Sequence, residues 1–292
     1  THNRTELLKA CLDTISSQQF ADFEVIIAHS GIDEGTEKLI TAYPDRYHYV
    51  RCKNKGAAVQ RNEGVAKAKG QWIVFLDDDV LLESQFLFEI NQSIRRNPLA
   101  KGVSGSITNQ YYSEPSSIFR FLLKMFGITD HTRLDGKVLG PALNFLPKKE
   151  GHDEEPIQWM PTCVCAYDRE LYVKLGGFPS QFVGYSYGED LFLSLLIHQD
   201  HLLILNRNAR LYHKDIGSTS HKNHYKIALM QVNNRNYINK VILKKNKFIF
   251  NIQLVSWNLA SVFATAIRGN LKPTTFFNTS LGYIIGCIRN SY

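Results

Sequence analysis

An uninterrupted apolar run that ends in three aspartates is the feature that most limits how this chain can fold. The run is Trp72-Ile73-Val74-Phe75-Leu76, and Asp77, Asp78 and Asp79 follow it directly. A run of aromatic and β-branched residues is typical of a strand covered on both faces. Open α/β sheets bind ligands beyond the carboxyl ends of their strands. Three like charges at that point repel one another unless a cation is present, so the pattern predicts a divalent metal site. Acidic turns exposed to water are the alternative for these residues taken alone.

Strands and helices alternate along the first 220 residues. This order is typical of βαβ units, and we expect an α/β fold with a Rossmann-like, mostly parallel central sheet. Residues 1–220 would form that domain, and residues 221–292 a helical C-terminal appendage. The predicted strands are 23–28, 47–52, 72–76, 102–108, 159–166, 202–205 and 209–213. The predicted helices are one that opens at the N-terminus, with Asn3 and Glu6 forming a capping box, and 36–42, 57–68, 84–96, 168–175 and 189–198.

Composition narrows the class of protein. A chain of 292 residues with 44% hydrophobic content can bury a sizeable core. Its net charge of +7 favours a negatively charged partner, such as nucleic acid, an anionic membrane or a phosphorylated substrate. Five cysteines without a CxxC pair are typical of reduced residues in the cytoplasm. We find no run of 18 apolar residues and no signal-like N-terminus, so we expect membrane contact to be peripheral, at the inner face of the cell membrane.

Two parts of the chain leave alternatives open. The aromatic residues between 109 and 156 fit a short amphipathic helix or a mobile substrate loop, and core packing is the favoured role for them. Beyond residue 221, Lys240, Lys244, Lys245 and Lys247 alternate with apolar residues. That segment could lie on an anionic membrane surface, or pack on the domain with its lysines in water.

Several short motifs follow one another in a recognisable order. They are Asn54-Lys55-Gly56, Arg61-Asn62-Glu63-Gly64, the three aspartates, Gly176-Gly177-Phe178 and Gly188-Glu189-Asp190. In this order and over roughly residues 1–220, the chain resembles the family 2 glycosyltransferases of bacterial polysaccharide assembly, which are inverting enzymes with a GT-A fold.

The resemblance implies a cation site and a base. Asp79 would bind Mg²⁺ or Mn²⁺, and Asp77 and Asp78 would support it, while His213 could supply a further ligand. Carboxylate oxygens suit both ions, with Asp77 and Asp79 as the first candidates. Asp190 would deprotonate the acceptor, with Glu189 beside it. Capping of the helix is the alternative role for Asp190, because a helix N-terminus favours the ionised carboxylate and so lowers its basicity; the order of the motifs favours the base.

The resemblance also implies nucleotide contacts. Arg61 and Asn62 would face the nucleotide, with Lys55 and Gly56 near it; a surface ion pair of Arg61 with Glu63 or Asp79 is the alternative. Asn3 and Arg4 match the loop after the family's first strand. His29 or Ser30 stands where an acidic residue usually helps to read the base. Because that first strand has no counterpart here, we expect either a piece of a longer chain or a chain that folds poorly as given.

The expected function is metal-assisted transfer of a sugar, in a single displacement, from a nucleotide-sugar donor to a saccharide or lipid-linked acceptor. A metal-dependent nucleotidyltransferase is the second hypothesis. A basic module that binds membranes or nucleic acid is the third, although the positive charge does not look concentrated in one patch and no nucleic-acid-binding signature is present. We therefore expect no nucleic-acid partner.

Overall fold

The computed structural model describes residues 1–110, 117–126, 136–145, 151–184, 186–214, 223–267 and 272–291. The chain divides into two compact units. One contains Thr1–Tyr111 and Glu150–Ile216, and the other contains Tyr112–Lys149 and Gly217–Tyr292. The second unit therefore includes residues 112–149, which the sequence analysis had assigned to the first domain.

The secondary structure alternates as expected in the first unit and is mainly helical in the second. The strands are β1 Val25–His29, β2 Tyr47–Arg51, β3 Trp72–Leu76, β4 Val80–Leu82, β5 Ala100–Ile107, β6 Val138–Leu139, β7 Asn144–Phe145, β8 Glu154–Ile157, β9 Val164–Asp168 and β10 Leu202–His213. The helices are α1 Thr5–Ser16, α2 Glu34–Ile40, α3 Ala57–Val65, α4 Phe86–Arg96, α5 Ser117–Met125, α6 Arg169–Lys174, α7 Glu189–His198, α8 His224–Ile238, α9 Lys247–Ile267 and α10 Pro273–Ser291, with a π-helical turn at Asn239–Leu243.

The main sheet has six strands and mixed directions. Its order is β3-β9-β5-β10-β4, and β8 also pairs with β10. Among the described residues, β5 and β10 are parallel, whereas β9 runs antiparallel to both β3 and β5, and β10 antiparallel to β4 and β8. The expectation of a mostly parallel sheet is therefore wrong. After β5 the chain leaves the sheet and returns first at β8, which pairs antiparallel with β10, and then at β9. This connection is not a single βαβ crossover, so β9 can enter antiparallel to β5.

β1 and β2 form a separate parallel pair, in register from Val25–Tyr47 to His29–Arg51. The two strands predicted at 202–205 and 209–213 are one strand, β10, with a register irregularity between Leu205 and Arg210. The short strand β4 directly after the aspartates was not predicted.

The core of the first unit lies around the apolar face of α1 and the strand β9. Leu8, Cys11, Leu12 and Ile15 recur at helical spacing along α1 and are buried. All five residues of β9 are buried, so both faces of the sheet are covered at this strand, and β3 and β5 pair with its two edges. This packing fixes the end of β3, and hence the position of the aspartates that follow it.

The predicted capping box at the start of α1 is wrong. The helix begins at Thr5, and the N-cap residue Arg4 makes no side-chain capping bond. Asn3, with φ 53°, instead accepts a hydrogen bond from the backbone N–H of Ile32 at 3.2 Å. The loop passes so close that a Cβ on Gly31 would lie 2.2 Å from the Asn3 side chain, so any larger residue there would require Asn3 to move.

The second unit has its own core. Leu122 and Leu123 of α5 and Ala142 pack with Val232, Phe250, Leu254, Trp257 and Cys287 of the C-terminal helices. This burial explains why residues 112–149 group with those helices. α9 is also long and apolar enough to cross a membrane by length and composition, contrary to the sequence-based expectation, but a third of its most apolar stretch is buried within the protein.

Candidate active site

Two arginines pair with the carboxylates at the end of β3. Arg4 Nη1 donates to Asp78 Oδ1 at 2.9 Å and to Asp79 Oδ2 at 3.1 Å. Arg61 Nη2, on α3, donates to Asp77 Oδ1 at 2.8 Å, and Arg61 Nη1 donates to Glu189 Oε1 at the start of α7. Asp77, Asp78, Asp79 and Glu189, here called the carboxylate cluster, are therefore held in one place by elements far apart in sequence.

Strand pairing brings His213 to this cluster. β10 runs antiparallel to β4, with His213 opposite Val80, so His213 lies beside Asp79. Its Nε2 is 3.6 Å from Asp79 Oδ1. The backbone N–H of Lys214 donates to the Asp79 carbonyl at 2.8 Å, which fixes this contact.

Asp79 is the carboxylate that most needs a further positive charge. Burial raises its pKa, and the negative charges of Asp77 and Asp78 add to that effect, while His213 and Arg4 oppose it. Among the described residues, Asp79 Oδ1 and His213 Nδ1 are buried atoms without a hydrogen-bond partner. A buried oxygen and nitrogen left in this state, next to further carboxylates, fit a divalent cation.

Cys163 is a member of the site that the sequence analysis missed. One ligand atom each from Asp77, Cys163 and His213 lie within 4.8 Å of one another. Burial, with the Asp77 charge next in size, raises the pKa of the Cys163 thiol well above its ordinary value, so it is protonated in the free protein. No CxxC pattern marks it in the sequence, because its neighbours come from β3 and β10.

Asp190 lies in the first turn of α7, after Gly188 in a left-handed conformation. Its Oδ1 accepts from the Leu191 N–H at 2.7 Å, and its Oδ2 accepts from Trp159 Nε1 at 3.0 Å. Burial raises the pKa of Asp190 and outweighs the lowering by these donors and by Arg61. The effect of burial on the pKa is thus larger than the expected effect of the helix N-terminus. Asp190 is therefore a stronger base than an ordinary aspartate.

Arg61 connects the two sides of the site. It pairs with Asp77 and Glu189, not with Glu63 or Asp79 as the sequence alternative had it. Its guanidinium also lies 5.9 Å from the centroid of the Phe178 ring. Glu189 is buried, and its Oε2 has no hydrogen-bond partner among the described residues. One always-charged side chain thus joins the aspartate end of the cluster to the turn that carries Asp190.

Two predicted nucleotide contacts conflict with the structure. Asn62 Nδ2 donates to the Phe178 carbonyl at 2.7 Å, and its Oδ1 accepts from Phe178 N–H and Tyr172 Oη. The Asn62 amide therefore ties α3 to the turn at residues 176–178 instead of facing a ligand. The His29 side chain is fully buried, with Nδ1 3.0 Å from Tyr49 Oη, so it cannot reach a base. In both residues, packing against other parts of the protein directs the side chain away from a ligand.

The N-terminal residues lie near the end of β1. His2 Nδ1 is 3.2 Å from Ser30 Oγ, and His2 Nε2 is 2.9 Å from Lys55 Nζ. Asn3 is committed to the backbone of Ile32, as described above. Ser30 is partly exposed and Lys55 is exposed, whereas His29 is buried.

The family model for glycosyl transferase family 2 matches residues 1–141. Validoxylamine A glucosyltransferase of Streptomyces hygroscopicus subsp. jinggangensis is 27% identical over 210 residues, covering 68% of this chain and 50% of that protein. An uncharacterized glycosyltransferase of Haemophilus influenzae is 33% identical over 101 residues, covering 34% of this chain and 33% of that protein. The chain spans about half the length of the validoxylamine A glucosyltransferases that it matches.

Solved structures show the same fold at low identity. The mannosyltransferase PcManGT from Pyrobaculum calidifontis, in complex with GDP-Man and Mn²⁺, has a TM-score of 0.58 and 16% identity, covering 100% of this chain and 85% of that one. S. aureus TarS 1-349 in complex with UDP has a TM-score of 0.54 and 13% identity, covering 100% and 88%.

Proposed function

We propose that this chain, whose residues 1–141 match the family model for glycosyl transferase family 2, transfers a sugar from a nucleoside diphosphate donor to a hydroxyl of a saccharide or lipid-linked acceptor, with inversion. The carrying observation is the Arg61 bridge between Asp77, at the end of β3, and Glu189, beside Asp190. This bridge connects the aspartates proposed to bind the cation and the diphosphate to the turn that carries Asp190, the proposed base for the acceptor hydroxyl.

Several comparisons support this choice of donor and acceptor. The structural neighbours hold GDP-Man or UDP. One relative, 23% identical over 108 residues, is the poly-beta-1,6-N-acetyl-D-glucosamine synthase of Staphylococcus epidermidis, whose product is a saccharide chain. A donor with a diphosphate also suits a site that contains two arginines, since guanidinium groups recognise phosphate oxygens.

Mg²⁺ or Mn²⁺ would be held by Asp79 and His213, whose Oδ1 and Nε2 atoms lie 3.6 Å apart. His213 also has one ligand atom within 4.8 Å of ligand atoms of Asp77 and Cys163. When bound, the cation supplies Lewis-acid stabilisation of the departing diphosphate. The fit is supported by two buried atoms, Asp79 Oδ1 and His213 Nδ1, that have no hydrogen-bond partner among the described residues. A structural neighbour in complex with Mn²⁺ points the same way.

Asp190 would accept the proton of the acceptor hydroxyl while the acceptor oxygen bonds to the anomeric carbon. The bond from that carbon to the diphosphate breaks at the same time, and the diphosphate leaves with the electron pair. Trp159 Nε1 and the Leu191 N–H hold the Asp190 carboxylate in one orientation. Arg61 pairs with the neighbouring Glu189, whereas Asp190 is the carboxylate that would take the proton.

The test is a panel of nucleotide sugars with this 292-residue chain. We expect one donor to raise the melting temperature and to be hydrolysed slowly, with both effects dependent on Mg²⁺ or Mn²⁺. A donor at about 100 times its Kd stabilises a protein by about 2.7 kcal/mol, which is readily seen in a melt. Stabilisation by nucleoside triphosphates alone, with release of pyrophosphate, would favour a nucleotidyltransferase and refute the proposal.

A further inference from the structure

We propose that α9 and α10 form a surface that docks on an anionic phospholipid bilayer, with both helices lying along the membrane instead of crossing it. The surface consists of exposed apolar residues on one side of each helix together with the lysines around their N-terminal ends. The inference is independent of the proposed catalytic function, because it uses none of the residues of that site.

The charge of the chain is concentrated where these helices lie. Residues 217–292 contain ten lysines and arginines and no aspartate or glutamate, whereas residues 1–216 contain 24 basic and 27 acidic residues. The whole positive net charge thus comes from the last quarter of the chain, which corrects the impression that it is spread out. Basic segments of this kind are attracted to anionic lipid.

α9 has one apolar side that faces away from the protein. Its exposed residues are Phe248, Ile249, Ile252, Phe263 and Ile267, between 48% and 68% exposed. At 3.6 residues per turn they fall within a sector of about 100° around the helix axis. Exposed apolar residues confined to one sector over the length of a helix indicate an interaction surface, since isolated ones would be scattered.

The opposite side of α9 is committed to the protein. Asn251 accepts from Asn236 Nδ2 at 2.7 Å and donates to the Asn290 carbonyl at 3.2 Å. Phe250, Leu254 and Trp257 are buried in the core of the second unit. A helix with one side packed against its neighbours and the other exposed fits the plane of a membrane interface better than a crossing of the bilayer.

α10 repeats the arrangement. Phe277, Leu281, Ile284 and Ile288 are exposed and recur at spacings of four, three and four residues, which is one side of a helix. Two glycines fix the direction of that side. A Cβ on Gly282 would lie 2.6 Å from the Tyr225 carbonyl of α8, and one on Gly286 would lie 2.9 Å from Val232. The glycine side therefore packs on α8, and the apolar side must face out.

Charge decides between a lipid surface and a second copy of the chain. Lys240, Lys244, Lys245 and Lys247 are exposed directly before and at the start of α9, and Lys272 precedes α10. A second copy docked on this surface would bring the same positive charges together, which is unfavourable. Anionic lipid headgroups neutralise the lysines while the acyl chains receive the apolar residues.

The experiment is flotation of the full chain with vesicles of phosphatidylglycerol and phosphatidylcholine in equal parts, and with vesicles of phosphatidylcholine alone. We expect binding to the first that weakens as salt is raised. The double variant Lys244→Gln/Lys245→Gln should bind roughly 25-fold more weakly, because each lysine near an anionic surface contributes roughly fivefold. Phe277→Ser/Ile284→Ser should also weaken binding.

Matched controls lie in the first unit. Leu99 is 81% exposed and Lys174 is exposed, so Leu99→Ser and Lys174→Gln should leave binding unchanged. Phe277→Trp preserves bulk and provides a second readout: its added fluorescence should shift to shorter wavelength with anionic vesicles, whereas that of Leu99→Trp should not. Equal binding to both vesicle types, full binding by the lysine variant, or dimer formation without vesicle binding would each overturn the proposal.

Discussion

Replacing Asp190 by asparagine separates a base from a helix cap. The carboxylate accepts hydrogen bonds from Leu191 N–H and Trp159 Nε1. Asparagine keeps one carbonyl oxygen, so one of these two buried donors would face an NH₂ group. The lost bond costs about 1–3 kcal/mol of stability. Part of that cost is offset, because the variant no longer buries a charge whose pKa burial raises. We therefore expect a net loss of no more than about 2 kcal/mol.

The effect on turnover should be far larger. Loss of a general base lowers kcat about 10²- to 10⁴-fold, which corresponds to about 2.7–5.4 kcal/mol in the barrier. The assay measures kcat and KM with the best donor, donor affinity by calorimetry, and stability by urea unfolding. Asp200→Asn, at an exposed position after α7, is the matched control. A loss of donor affinity as large as the loss of kcat, or an unchanged kcat, would show that Asp190 is not the base.

The pH profile tests the same residue independently. Asp190 must be ionised to accept a proton, and its pKa is raised by burial. Its ionised fraction, and with it kcat/KM, should fall as the pH drops through a range above that of an ordinary aspartate. Trp159→Phe removes a donor that favours the ionised form, so the acid limb should move to still higher pH. A limb that stays in place would contradict the assignment.

Three further perturbations address the rest of the site. Asp79→Asn should abolish metal-dependent turnover and the rise in melting temperature on adding Mn²⁺; a full Mn²⁺ shift in this variant would exclude Asp79 as a ligand. Arg61→Met leaves the buried Glu189 unpaired and should cost about 3–5 kcal/mol in urea unfolding, whereas a loss below about 1 kcal/mol would show that the bridge is weak. Cys163→Ser removes a soft donor from ligand range of Asp77 and His213. It should lower Zn²⁺ affinity at least tenfold in competition titrations while leaving Mg²⁺ affinity nearly unchanged, and equal changes for both ions would show that the thiol does not bind metal.

Local sequence signals predicted the parts of the fold that depend on local chemistry. The apolar run of β3, the helix that opens with Glu189, and the alternation of elements up to β5, apart from the short strand β4, each follow from residue patterns within about ten positions. The direction of β9 could not be predicted in this way. It depends on where the chain re-enters the sheet after the segment that joins the second unit, and no pattern within β9 encodes that direction.

The roles of individual side chains also depend on tertiary structure that local sequence patterns do not encode. Asn62 and Arg61 are neighbours on α3, yet Asn62 faces the turn at residues 176–178 and Arg61 faces the carboxylate cluster. Sequence order treats both as members of one motif, whereas the rotation of the helix separates them by about 100°. Cys163 joins the site only because β9 pairs with β3 and β10 brings His213 from another part of the chain, so its position there becomes visible only once the sheet is formed.

The positive charge that the three aspartates need comes in part from the protein itself. Three adjacent carboxylates do require compensation, and the structure provides part of it with Arg4 and Arg61. These two guanidinium groups face Asp78, one oxygen of Asp79, Asp77 and Glu189, which leaves the cluster with an excess of negative charge. Within the site, the buried atoms that still lack a hydrogen-bond partner among the described residues are Asp79 Oδ1, His213 Nδ1 near it, and Glu189 Oε2 on the Arg61 side. We therefore expect the cation at the Asp79 side of the cluster, next to His213, because Glu189 is already paired with Arg61 through its other oxygen. A metal bound there would leave both arginine pairs intact.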